Sequence, residues 1–416
     1  MNNFRITTLP NGIRIVSELL PYVKSFSLGV WFKVGSRDET PTNNGICHFI
    51  EHMVFKGTKK RNAKRIADEI ESLGGYLNAF TSKESTCFYG RGLSLHLEKT
   101  FEVLADMVQN SVFDPKEIKK EASVIIEELY DIEDSPEELI FDKFESNIYA
   151  GNHLALPIIG TEENIKNFRR DDLFRFIDEH YKFNNMYIIA SGAVDHDKLV
   201  EYTYKYFIKD LGKQNLKRKP VRLKNTGDLH VPKDIQQVHV ILGRTTYGYN
   251  NSERIKVSLL SHILGEGSSS RLFQKVREKN GITYQINSFL NSFHDISTFG
   301  VYFSTNEKTV NKALDLTYKE LDSLRSKKVS DKELKKAKEY LKGQIIMSLE
   351  STSNRMLRIA HSIIHHNRIK EVEETIVEID SVFGNDILKI AEEILVDDAF
   401  SRVIISTKDS SNRVAA

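Results

Sequence analysis

The sequence predicts an α+β fold in which two homologous domains follow one another, each a mixed sheet with helices packed on it. Apolar residues occupy every second position from 26 to 34, as expected of a strand. Apolar residues then recur at helical spacing over residues 46–55. The same strand and helix pattern returns 210 residues later, which indicates that one domain has been duplicated.

The composition is that of an ordinary globular protein. At about 100–200 residues per domain, the 416 residues suggest two to four domains. The 59 basic and 58 acidic residues give a net charge of +1, which argues against a dedicated nucleic-acid binder. Two cysteines, Cys47 and Cys87, exclude a disulfide framework. The chain shows no signal or transit pattern and no run of roughly 20 apolar residues, so we expect a cytoplasmic protein without a membrane span.

The other elements of the first half follow in order along the chain. Gly74 and Gly75 end a polar helix, and Asp114 can cap a long helix that has Pro115 at its first position. The predicted elements are a polar helix (63–75), two strands joined by a turn (76–93), a long helix (115–135) and a buried strand (186–194). A polar, basic stretch with Pro and Gly then predicts a linker. We place the first domain at 1–210, the linker at 211–229 and the second domain at 230–416.

The stretch HFIEHMVFKGT, residues 48–58, carries the side chains that indicate chemistry. His48 and His52 are four residues apart, so on a helix they lie about 40° apart around the axis and can face one metal ion. Glu51 lies on the same side, where a carboxylate can accept a proton from water activated by zinc. Spacing alone is weak, because HSIIHH places His361 and His365 in the same way without the glutamate.

The repeat supplies a comparison for these residues. In the 210-residue register, Ser258 falls on the first histidine and Ser261 on the glutamate, whereas His262 matches the second histidine. The fold therefore does not require this set of side chains, and the second domain cannot assemble the same chemistry.

The predicted helix 115–135 offers a third metal ligand. Glu121 and Glu128 are seven residues apart and lie on one face, so Glu128 could bind the metal while Glu121 supports a ligand histidine. Glu127 lies about 100° further round the helix, and the spacing does not choose between the two neighbours.

GICHFIEHMVFKGTKKR resembles the inverted zinc motif of the pitrilysin/insulinase metallopeptidases, the inverzincins. It is most similar to two-domain members typified by the β subunit of mitochondrial processing peptidase and its bacterial relatives. In that family a glutamate follows the motif by about 76 residues, which is the position of Glu128 and selects it over Glu127. A family glutamate seven residues earlier matches Glu121. The resemblance covers nearly the whole chain, although Lys120-Glu121-Ala122 stands where many relatives have Glu-Arg.

The resemblance implies a processing-peptidase-like fold and a zinc-dependent endopeptidase that cuts extended peptides or unfolded segments. One Zn²⁺ per chain would be held by His48, His52 and Glu128, with Glu51 as the general base. Glu121 would support a ligand histidine from behind.

Substrate contacts are also implied by the resemblance. LGGYLNAFTSKEST is similar to the edge strand that pairs with bound peptide, around Asn78 and Ala79, and Phe55 matches an aromatic residue lining the cleft. GEGSSSRLFQKVREKNGITYQI is similar to the second-domain element whose Arg277 and Tyr284 contact substrate. We expect Tyr284 to stabilise the oxyanion and Arg277 to hold the peptide backbone or a carboxylate.

The family also implies a partner chain. Two-domain members pair so that the catalytic domain of one subunit faces the second domain of the other, so we expect a homodimer in which Arg277 and Tyr284 act in trans; a heterodimer with a paralogue is the alternative. A second functional hypothesis is a non-catalytic structural or substrate-presenting subunit. Such subunits typically lack a ligand or the base, whereas all four first-domain residues are present here.

Overall fold

The computed structural model of the chain describes residues 3–213, 217–221, 227–396 and 399–407. Contacts divide the chain into two compact units. The first unit contains residues 1–130, 156–219 and 348–369, and the second contains residues 131–155, 220–347 and 370–416. The chain therefore passes between the units five times.

Both units contain a sheet built from the strands of the described residues. The strands are β1 (Phe4–Thr8), β2 (Arg14–Leu19), β3 (Ser25–Phe32), β4 (Tyr76–Thr81), β5 (Thr86–Leu93), β6 (Met186–Gly192), β7 (Leu229–Pro232), β8 (Val238–Tyr247), β9 (Thr283–Ser292), β10 (Ile296–Thr305) and β11 (Ser401–Ser406).

Helices connect and cover these strands. They are α1 (Ile46–Val54), α2 (Ala63–Glu71), α3 (Leu97–Asn110), α4 (Pro115–Asp134), α5 (Pro136–Ile148), α6 (Glu162–Asn167), α7 (Arg170–His180), α8 (His196–Tyr206), α9 (Arg254–Gly265), α10 (Val310–Ser326), α11 (Asp331–Ser348), α12 (Thr352–His366), α13 (Val372–Asp380) and α14 (Gly384–Ile394). A π-helix spans Phe273–Glu278. In the part of the chain that the structure describes, no helix is long and apolar enough to cross a bilayer.

The first sheet has the order β1-β2-β6-β3-β5-β4. Strands β2 and β6 are parallel, and the other neighbours are antiparallel. Side chains alternate between the two faces of each strand. One face, with Trp31, Tyr187 and Ile189, packs against Ile359 and Ile363 of α12, and all five side chains are buried. Helices α1 and α3 also contact strands of this sheet.

The second sheet repeats the arrangement of the first. Its order is β7-β11-β8-β10-β9, with β7 and β11 parallel and the other neighbours antiparallel. These strands correspond in chain order, sheet order and direction to β2, β6, β3, β5 and β4. This agreement confirms the duplication and the two-domain α+β fold that the sequence predicts.

Helix α5 covers one face of the second sheet. Ile140 and Phe144 pack with Ile241 and Tyr302 in one apolar cluster. A Cβ atom at Gly243 would lie 2.5 Å from Cζ of Phe144, so the absence of a side chain in β8 lets the helix approach closely.

The compact units differ from the predicted ranges 1–210 and 230–416 in two segments. Residues 131–155, with α5, lie in the second unit, and residues 348–369, with α12, lie in the first. Periodicity shows that a helix has an apolar face, but it does not show which sheet that face covers. Of the predicted linker 211–229, residues 214–216 and 222–226 lie outside the described residues, and β7 begins at its last residue.

Candidate metal centre

Helix α1 carries His48, Glu51 and His52, and a buried carboxylate holds its N-terminus. Gly45 precedes the helix with φ 97°, a left-handed conformation that favours glycine. The carboxylate of Glu39 accepts hydrogen bonds from the backbone N–H groups of Gly45 and Cys47, each at 2.8 Å. Burial raises the pKa of Glu39 to about 7, and these two backbone hydrogen bonds oppose the rise. Glu39 is a residue that sequence reasoning missed, because nothing in its spacing distinguishes it from other loop carboxylates.

Three predicted ligands come together in space. His48, His52 and Glu128 each offer one ligand atom, and these atoms all lie within 4.8 Å of one another. Nε2 of His48 lies 3.7 Å from Oε1 of Glu128, and Nε2 of His52 lies 3.7 Å from Oε2. In the described residues this is the one group of three or more His, Cys, Asp or Glu side chains with such an arrangement. Glu127 and the pair His361 and His365 do not belong to it.

A buried glutamate and a lysine stand behind the cluster. Oε1 of Glu121 lies 2.9 Å from Nδ1 of His52, and Lys56 donates to Oε2 of Glu121 at 2.6 Å. Burial raises the pKa of Glu121, but the hydrogen bonds from His52 and Lys56 outweigh it, and the net pKa is lowered. An ionised carboxylate only accepts, so Nδ1 of His52 carries the proton and the lone pair of Nε2 faces the cluster. The observed position of Glu121 is therefore compatible with the supporting role predicted for it.

The protonation of the two histidines suits a cation. Burial, followed by the charge of His52, lowers the pKa of His48 to about 4, so His48 is neutral at pH 7. Burial also lowers the pKa of His52, but its hydrogen bond and charge contact with Glu121 outweigh this and raise the pKa overall. The carboxylates of Glu121, Glu51 and Glu128 thus favour positive charge at the His52 ring. Two imidazoles and one carboxylate are the donor set of catalytic zinc sites, and the residues present fit that ion.

Glu51 is held beside the cluster by the end of strand β4. Oγ1 of Thr81 donates to Oε2 of Glu51 at 2.6 Å. Burial raises the pKa of Glu51, and the Thr81 hydroxyl opposes the rise. Thr81 is a second residue that sequence reasoning missed; its place at the end of the predicted edge strand is the only signal that could have found it.

The predicted peptide-binding residues lie on and near a free sheet edge. Strand β4 is the last strand of its sheet and pairs with β5 on one side. Asn78 and Ala79 lie in the middle of β4, opposite Tyr89 and Phe88 of β5. Phe55 directly follows α1, with its backbone N–H bonded to the carbonyl of His52. In the described residues no strand pairs with the other side of β4, and the backbone N–H of Ala79 donates to Oδ1 of Asn78 at 2.8 Å.

The predicted substrate contacts of the second unit lie together. Arg277 is in the π-helix, and its guanidinium carbon lies 4.9 Å from the ring centroid of Tyr284 and 4.6 Å from that of Phe273. Tyr284 belongs to β9, the last strand of the second sheet, and is 77% exposed. A surface arginine–aromatic contact is common without function, so their roles stay a prediction.

The repeat positions in helix α9 form a different structure. Ser261 donates from Oγ to Oε1 of Glu266 at 2.8 Å, and the ring of His262 stacks on Tyr340 with centroids 4.4 Å apart. In the described residues of this unit, no group of three His, Cys, Asp or Glu donors comes together at α9.

We expect Lys56→Met to weaken zinc binding about tenfold, because Glu121 would lose the cation that holds its second oxygen and would orient His52 less firmly. Lys56→Arg should recover most of the loss. Lys59→Met is the control, since Lys59 is exposed three residues further on. The measurement is zinc affinity by competition with a chromophoric chelator. Equal affinities for the Lys56→Met and Lys59→Met chains would contradict the role of Lys56.

Two family profiles match the chain. One is described as Insulinase (Peptidase family M16) and matches residues 14–162; the other is described as Peptidase M16 inactive domain and matches residues 167–341. A Rickettsia felis protein named an uncharacterized zinc protease is 36% identical over 408 residues, which cover 97% of each chain. The chain belongs to the insulinase family of peptidases, M16.

A second relative and two solved structures are also similar to this chain. A Bacillus subtilis protein, also named an uncharacterized zinc protease, is 35% identical over 395 residues, covering 94% of this chain and 95% of its own. The crystal structure of a protease from Helicobacter pylori has a TM-score of 0.89 and 25% identity, and it covers 97% of this chain and 99% of that chain. A Pseudomonas fluorescens peptidase M16 inactive domain shares the fold, with a TM-score of 0.91 and 18% identity over 98% of both chains. The predicted family and fold are thus confirmed.

Proposed function

We propose that this M16 protein is a zinc-dependent endopeptidase that hydrolyses extended peptides or unfolded segments. The observation that carries the proposal is the group of His48, His52 and Glu128, with Glu51 held beside it by the end of an open edge strand. The names of the relatives as zinc proteases support it. The presence of both histidines, the third donor and the base favours an active enzyme over a non-catalytic subunit.

One zinc ion per chain would be held by His48, His52 and Glu128. When bound, zinc supplies a Lewis acid that polarises the scissile carbonyl and lowers the pKa of water to about 7. Glu121 keeps the proton of His52 on Nδ1, which leaves Nε2 available as a ligand.

Glu51 is the proposed general base and, later, the general acid. The Thr81 hydroxyl holds the carboxylate through Oε2, and Oε1 is the proposed acceptor of the proton from the attacking water. Glu51 accepts a proton from water as the new C–O bond forms at the scissile carbonyl, and it delivers that proton to the amine nitrogen as the C–N bond breaks. Burial raises the pKa of Glu51 and brings it nearer to neutral pH, which suits a group that must both accept and donate a proton.

The peptide is proposed to add to the free edge of β4. Backbone hydrogen bonds around Asn78 and Ala79 would hold an extended chain with little regard to its sequence, and Phe55 would contact a side chain. Strand β4 ends at Thr81, which holds Glu51, so a peptide paired along this strand would extend to the proposed base.

The proposal is tested by digesting a library of unstructured peptides and identifying the products by mass spectrometry. We expect internal cleavages that disappear when a chelator removes zinc and return when about one equivalent of zinc is added back. Zinc content measured by atomic absorption gives the stoichiometry. Cleavage that continues in the zinc-free protein would contradict the proposal.

We further propose a homodimer in which Arg277 and Tyr284 of one subunit serve the metal centre of the other. Mixing a Glu51→Gln chain with a Tyr284→Phe chain should then restore activity to about a quarter of wild type, because random pairing makes half of the dimers mixed and each mixed dimer has one intact site. Each variant alone is the control. A mixture no more active than the sum of its parts would rule out action in trans.

A further inference from the structure

A largely buried arginine contacts the first unit from within the predicted linker. Arg218 lies in the described segment 217–221, and its side chain is 13% exposed. Its guanidinium donates to both carboxylate oxygens of Asp38, from Nε at 2.9 Å and from an Nη at 2.7 Å. It also donates to the backbone carbonyl of Glu84 at 2.8 Å. Such a two-pronged contact on a 4% exposed carboxylate is a strong, specific interaction.

The two loops that Arg218 contacts are also joined to each other. The backbone N–H of Arg37 donates to the carbonyl of Lys83 at 2.8 Å, and the guanidinium of Arg37 donates to the carboxylate of Glu84 at 2.7 Å. A Cβ atom at Gly35 would lie 2.2 Å from the carbonyl oxygen of Ser82, so the backbones touch. We call this cluster, made of Arg218, Arg37, Asp38 and Glu84, the arginine latch.

Each loop leads directly to one part of the metal centre. Asp38 is followed by Glu39, whose carboxylate holds the N-terminal amides of α1. Ser82 is preceded by Thr81, whose hydroxyl holds Glu51. The arginine latch therefore lies one residue from Glu39 and three residues from Thr81.

We propose that Arg218 is a positioning residue that holds α1 and Glu51 in place by clamping the 35–39 loop to the 82–85 turn. The next residue but one, Pro220, belongs to the second unit, so the arginine latch lies where the chain leaves the first. Displacement of the linker would then change the positions of α1 and Glu51 at the metal centre. The proposal concerns the same site as the proposed function and rests on it for its catalytic meaning.

The test compares four full-length chains with wild type: Arg218→Met, Arg218→Lys, the charge-balanced pair Arg218→Met with Asp38→Asn, and the control Lys217→Met, since Lys217 is exposed. Hydrogen exchange is followed at the amides of Gly45 and Cys47, and zinc affinity is measured by chelator competition. The amides of α8, in the same unit, report any global loss of stability.

We expect Arg218→Met and the charge-balanced pair to exchange the Gly45 and Cys47 amides about tenfold faster, with α8 unchanged, and to bind zinc about tenfold more weakly. Arg218→Lys should recover only part, because lysine cannot make the two-pronged contact. The proposal would be overturned if Arg218→Met and the charge-balanced pair had the same amide exchange rates and zinc affinity as Lys217→Met. It would also be overturned if exchange rose equally in α8. If Arg218→Met does not fold, the charge-balanced pair decides. Neither amide exchange nor zinc affinity depends on peptide hydrolysis. A wild-type protein without peptidase activity would therefore contradict the proposed function but would leave this test of Arg218 valid.

Discussion

Glu51→Gln is expected to lower kcat for peptide hydrolysis by about 10²–10⁴-fold, the contribution typical of a positioned general base. Glutamine has the same shape and can still accept the Thr81 hydroxyl bond, but it cannot take a proton from water. The change leaves His48, His52 and Glu128 in place, so zinc content and KM should stay near wild type. The measurement is steady-state hydrolysis of a peptide found in the library digest, with zinc determined on the same sample.

Glu127→Gln is the matched control for this change. Glu127 is an exposed carboxylate beside the proposed ligand Glu128, and it lies outside the donor cluster. We expect its removal to change kcat less than twofold. A Glu51→Gln protein with near-normal kcat would refute the mechanism, and a parallel loss of zinc would show that Glu51 supports the metal instead.

A chain that ends at residue 219 is expected not to fold, although it contains the whole proposed metal centre. It lacks α12, whose Met356, Ile359, Ile363 and Ile364 are buried against the first sheet. At about 1.5–3 kcal/mol for each buried side chain, their loss removes roughly 6–12 kcal/mol, as much as the whole stability of many domains. Circular dichroism and thermal unfolding would show a chain without a cooperative transition.

The control for truncation adds back only the missing helix. Residues 348–369, joined to residue 219 by a flexible Gly/Ser linker, should restore cooperative unfolding and zinc binding if the first unit is complete without the rest. The same fusion with Ile359→Asp and Ile363→Asp should fail, since both positions are buried. A folded 1–219 chain would show that α12 is dispensable.

The sequence indicated which side chains come together in the candidate metal centre, but not the residues that hold them in place. A helix turn relates His48, Glu51 and His52 by a fixed geometry, so their pattern can be read directly. Glu128 was chosen over Glu127 only through the family resemblance, because spacing places both on the helix. The structure brings Glu128 into the cluster.

The supporting residues could not be predicted from the sequence, because the residues that they contact lie far away along the chain. Arg218 meets Asp38 across 180 positions, and Thr81 meets Glu51 across 30. Neither pair follows a helical or strand period, so periodicity carries no signal for them. The same limit applies to α5, which was predicted as part of the first domain but packs on the second sheet.

The late position of α12 in the chain has a consequence for synthesis. Strand β6 completes the first sheet at residue 192, but α12 begins 160 residues later, at residue 352. At about 5–20 residues per second, the ribosome needs roughly 8–32 s to make that stretch. Throughout this time the face with Trp31, Tyr187 and Ile189 has no covering helix. The nascent chain therefore presents a wide apolar surface that a ribosome-associated chaperone would be expected to bind until α12 emerges.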